Sequence, residues 1–141
     1  MQISSGSQSA PTPQSVRIVH GALISGIILY AIVAQFFLLP KANTSGNLAT
    51  MIPTLLAVAL ALCAVPMLLK NRVPRPSEGE SPSAFWLRAA SPALVTWTPL
   101  EAGALLCVTL YAQTGSKAAI AVAALAVLIM LLLRPGYFEE R

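Results

Sequence analysis

Residues 16–39, "VRIVHGALISGIILYAIVAQFFLL", form an apolar run that carries one charge, Arg17, at its start. A bilayer has a hydrocarbon core about 30 Å thick, which takes about 20 residues of helix at 1.5 Å each. The run is long enough to cross and too long for the core of a signal peptide. In lipid a backbone can satisfy its polar groups only within its own helix or a closed barrel. Further apolar runs occupy residues 48–69, 93–112 and 118–133. The sequence therefore predicts an all-α integral membrane protein, a four-helix bundle made of two tandem helical hairpins. Composition agrees. The chain is 56% apolar and 10% charged, against about 25% charged in soluble domains, and a soluble fold of 141 residues could not hide so much hydrocarbon.

The segments between the runs set the organisation. Residues 1–15, rich in Ser, Gln and Pro, read as a disordered tail. The first transmembrane hairpin covers 16–69, with Pro40 stopping its first helix and "KANTSGN" turning the chain. Pro53 should lie in or near the first turn of the next helix, and Pro66 should bend it. Residues 70–92, including "NRVPRPSEGESPS", read as a polar cytoplasmic linker whose end, "AFWLRAA", offers Trp86 and Arg88 to the membrane interface. The second hairpin covers 93–133 around "QTGSK", and 134–141 is a short charged cytoplasmic tail.

Basic residues fix the expected direction. Arg17, Lys70, Arg72, Arg75, Arg88, Arg134 and Arg141 flank one side, and Lys41 and Lys117 the other. This positive-inside bias places both termini and the linker in the cytoplasm, in a multi-pass protein of a bacterial inner (plasma) membrane. The net charge of +4 belongs to this topology. The cations form no patch interleaved with aromatics, so nucleic acid is not an expected partner.

Helices in lipid associate by close packing of small residues. Gly21 with Ser25, Ala22 with Gly26, Gly103 with Cys107 and Ala119 with Ala123 are such pairs, one turn apart. Gly21, Ser25, Gly26, Gly103, Ala119 and Ala123 are accordingly expected inside the bundle. Cys63 and Cys107 lack metal or redox spacing and read as small hydrophobes. The hairpins echo each other weakly, "AVPMLLKNRVP" against "VLIMLLLRPGY", which duplication and the repetitive alphabet of membrane helices explain equally well.

One acid stands apart. Glu101, in "LVTWTPLEAGALL", lies in an apolar run while the other four acids lie in polar segments. A charge at mid-membrane costs about 2.5–3.5 kcal/mol on insertion scales. Pro99 frees the carbonyl of Val95, Thr96 and Thr98 supply hydroxyls, and Trp97 is one turn away. The first helix runs in the same direction and puts His20 at overlapping depth, which leaves a His20–Glu101 contact geometrically open, a hypothesis from depth alone. Either Glu101, with His20 and Thr98, handles a proton or cation or pairs with a partner, or it fixes helix register. Tyr30, Gln35, Thr109, Tyr111 and Gln113 are the groups that could extend a polar path. His20 reads either as an interfacial residue or as an axial ligand to haem or chlorophyll magnesium. No cofactor and no metal site is expected, and no catalytic set, because the chain has one His and no Asp.

The segment "PLEAGALL" and the hairpin layout loosely resemble the proteolipid rotor subunits of ATP synthases, which implies proton binding at Glu101. The partner helix offers only Gly21 and Gly26 where those subunits carry a glycine-rich run, and Glu101 opens its hairpin rather than closing it. The chain is also similar to small uncharacterised four-span bacterial membrane proteins, a likeness that implies no activity. The expected role is that of an accessory or structural subunit of a larger bacterial membrane complex, not an enzyme. The alternative is an oligomeric proton- or ion-handling protein using Glu101. The expected partners are the lipid bilayer and other membrane subunits or further copies of the chain.

Overall fold

A computed structural model describes residues 11–39 and 46–140, with backbone alone at 46–49. The described chain is helical, without strands. Helix α1 spans Pro13–Val33 and continues as a π-helical segment, Ala34–Leu38. Thr12 caps it: its hydroxyl accepts from the Ser15 amide while the Ser15 hydroxyl accepts from the Thr12 amide. Pro13 fits the first turn, where its missing N–H leaves nothing unpaired. Helicity thus reaches into the segment expected to be a disordered tail. Residues 1–10 lie outside the described residues.

Helix α2 spans Gly46–Leu69 and ends in a 3₁₀ turn, Lys70–Arg72. Helix α3 spans Pro82–Thr114. It begins well before the expected start near residue 93 because Ser81 accepts from the Ala84 amide and Pro82 occupies the first turn. At 33 residues it is about 50 Å long. Gly115, at φ +68°, ends it in the left-handed conformation that glycine adopts freely. Helix α4 spans Lys117–Leu132, and helix α5, Pro135–Glu139, lies within the short charged tail.

Helices α1 with its π segment, α2 and α3 are each long and apolar enough to cross a membrane; α4, at 16 residues, is apolar but shorter. Helix α3 is the hub, packed by α1, α2 and α4. Its buried face includes Ala93, Trp97, Leu100, Ala104, Cys107 and Val108. Close approach to α2 needs Gly103: a Cβ there would stand 3.2 Å from the Ala59 carbonyl and 3.3 Å from Leu62 Cβ. Ala119 and Ala123 are likewise buried.

Helix α1 departs from expectation. Val16, His20, Ile27 and Ala34 form its buried face. Gly21, Ala22, Ser25 and Gly26 point away from the bundle, and a Cβ on either glycine would meet nothing within 4 Å. The physical reason is angular: positions 16, 20, 27 and 34 recur at helical spacing and claim the inner face, leaving 21, 22, 25 and 26 on the other.

Candidate functional site

The basic end of the bundle is stitched by side chains. His20 Nε2 lies 3.0 Å from the Met130 carbonyl, which can only accept, so the ring carries its proton on Nε2. Trp97 Nε1 donates to the Leu133 carbonyl at 2.8 Å. Both carbonyls belong to the last turn of α4 or its cap, where helical partners run out before Pro135. The His20 and Trp97 rings are 4.7 Å apart, and Phe138 of α5 lies 6.2 Å from Trp97.

Around this plug, Glu139 joins three elements. One carboxylate oxygen accepts from Arg17 of α1 and the other from Trp86 Nε1 of α3, both at 2.7 Å. Trp86 and Phe138 are fully buried. Trp86 therefore does not serve the interfacial belt; α5 covers it. The expected linker is also tied down. Arg88 donates to both oxygens of Glu80 and to the Arg75 carbonyl, and the Ser77 amide donates to Glu80. The Arg88 guanidinium, aided by that amide, holds the Glu80 carboxyl down to about 2. Val73 of this segment is buried.

Glu101 lies one turn beyond Trp97, about 6 Å further along α3. It is half-buried. No hydrogen bond or ion pair reaches it among the described residues, and no side-chain oxygen there is both sealed and unpartnered. Its carboxyl oxygens thus reach the bundle surface. The structure does not bring His20 to Glu101: His20 is spent on Met130 and the Trp97 ring. Thr98 also stays apart, its hydroxyl donating to the Leu94 carbonyl of its own helix. Burial and the engaged Nε2 make His20 a helix fastener rather than a free axial ligand.

The opposite end carries two further polar pairs between α1 and α3. Tyr30 and Thr109 hydroxyls are 3.1 Å apart, and the Tyr111 hydroxyl donates to Gln35 Oε1. These join α1 to α3 rather than lining a continuous path to Glu101. Among the described residues no group of three or more His, Cys, Asp or Glu is placed to hold a metal ion. Sequence reasoning missed Glu139, Trp86 and Phe138 as contacts; "PGYFEE", two aromatics and two acids directly after a helix-stopping proline, is the signal they left. No family model, curated protein or solved structure matches the chain.

Proposed function

We propose that the chain is a four-span integral membrane protein of a bacterial inner membrane, with both termini cytoplasmic. In this reading it acts without catalysis of its own, as an accessory or structural subunit of a larger complex. The observation that carries it is Glu101: an acid in a span-length helix, partnerless among the described residues, whose oxygens reach the surface of the bundle. An ionised carboxylate facing hydrocarbon is costly, and intramembrane charges ordinarily pair with one another or with polar groups. A polar or cationic group on a neighbouring subunit satisfies it. The outward small-residue face of α1, Gly21 to Gly26, is the close-packing surface such a neighbour needs. Clustering of Arg17, Arg75, Arg88 and Arg134 at the end closed by α5 supports the orientation.

Purification in mild detergent from cells expressing the chain at its natural level tests the proposal. The expected result is a larger assembly that loses its partner when Glu101→Ala or Gly26→Leu is introduced. A lone monomer that keeps its in-cell role would sink it. The half-buried carboxyl, partnerless among the described residues, also supports a second reading, proton or cation handling by a homo-oligomer. That reading requires a carbodiimide to label Glu101 in the membrane, and Glu101→Gln to abolish ion movement in reconstituted vesicles.

A further inference from the structure

The end of the molecule away from α5 holds an apolar groove between α1 and α4, floored by Val108 of α3. Ile27, Ile32 and Phe36 form one wall, Ile120 and Ala124 the other. Its volume is about 450 Å³ and it opens along one side. We propose that this groove holds one acyl chain of an anionic phospholipid, with the headgroup at Lys117. The inference rests on the reading that these helices stand in a bilayer.

Length favours a lipid chain. From Ile27 to Phe36 the groove runs about 13 Å, close to the ~15 Å of hydrocarbon in a single leaflet. A spanning partner helix would need a trough about twice as long, and α5 with the Arg17–Glu139 pair closes the other end of the bundle. The polarity along the groove is that of an amphiphile. Its inner end, at Ile27 and Val127, is apolar; its outer end carries Gln35 and Tyr111, already bonded to each other. Lys117 stands just beyond, one turn from Ile120 on the stripe that continues through Ala124 and Val127. It is exposed, with no ion pair among the described residues. A lysine at the headgroup level attracts an anionic lipid.

The backbone of α1 changes at the same level. The π-helical segment Ala34–Leu38 contributes Gln35 and Phe36 to the groove. π-bulges are rare and concentrate at functional sites. Here the widened turn sets Gln35 against Tyr111 and Phe36 along the wall.

The full chain, extracted in detergent and titrated with phosphatidylglycerol or with phosphatidylcholine of the same acyl chains, provides the test by native mass spectrometry. One phosphatidylglycerol should bind about fivefold more tightly than phosphatidylcholine, the worth of one lysine at a headgroup. Lys117→Ala should remove that preference. Ala124→Trp, at an exposed position in the groove, should lose both lipids, while Ala57→Trp on the exposed face of α2 keeps both. Equal binding of the two lipids by the natural chain, or unchanged binding by Ala124→Trp, overturns the proposal. A chain released from membranes without detergent refutes the membrane reading instead, so the two failures are distinguishable.

Discussion

The two ends of this bundle are built on different principles. At the basic end, α5 folds back, Trp86, Trp97 and Phe138 are buried, and Glu139 links α1 to α3. At the turn end, two hydroxyl or amide pairs join α1 to α3 while α1 and α4 stand apart around a groove. The first arrangement locks three helices by geometry that each must supply. The second leaves a surface that something else can fill. The bundle is thus closed at one end and grooved at the other.

The sharpest way to break this contrast is Trp97→Ala. It removes a fully buried ring, its packing on His20 and Phe138, and the bond to Leu133. A loss of about 3–5 kcal/mol is expected, measured by thermal unfolding in detergent. Gly103→Val comes next, because its Cβ would stand 3.2 Å from the Ala59 carbonyl and 3.3 Å from Leu62 Cβ, inside ordinary van der Waals contact. Overpacking there should cost about 2 kcal/mol and prise α2 from α3, seen as a falling yield of monodisperse protein. Trp86→Phe keeps an aromatic ring but removes the indole's second ring from a fully buried site and deletes one donor to Glu139. The lost bond and lost packing together should cost about 2 kcal/mol and expose α5 to carboxypeptidase.

A smaller effect belongs to the Glu80–Arg88 pair. The folded carboxyl titrates near 2, below its ordinary 4.5. Its contribution is therefore complete above about pH 4.5 and is lost as pH falls toward 2. Limited proteolysis between Val73 and Ser81 should accelerate across that window, and Glu80→Gln should show the faster rate at every pH. Smallest is Gly26→Leu. With nothing within 4 Å of the added Cβ, the isolated fold should change by less than about 0.5 kcal/mol. Any larger loss in membranes than in detergent would identify the outward face of α1 as a contact surface.

Legibility differed between the same two regions. Helices α1, α2 and α4 lie close to the apolar runs because length and hydropathy alone specify a spanning helix. Helix α3 was readable only in part: residues 82–92 fall at the end of the segment read as a linker, yet Ser81 and Pro82 start the helix there and tertiary contacts bury Phe85 and Trp86. The small-residue pairs illustrate the limit. Gly103, Ala119 and Ala123 face inward, whereas Gly21, Ser25 and Gly26, chemically alike, face outward. Spacing says which residues share a face but not which way that face turns.

The sequence by itself determined that the described chain is helical and that its longest helices can cross a bilayer, because hydrocarbon content and run length are local properties. Only the tertiary structure decided that His20 and Trp97 cap the end of α4, that α5 seals the basic end through Glu139, and that Glu101 meets neither His20 nor Thr98. Those pairings join residues far apart in the chain. They depend on how each helix is rotated about its axis, which side-chain periodicity leaves free until the helices pack.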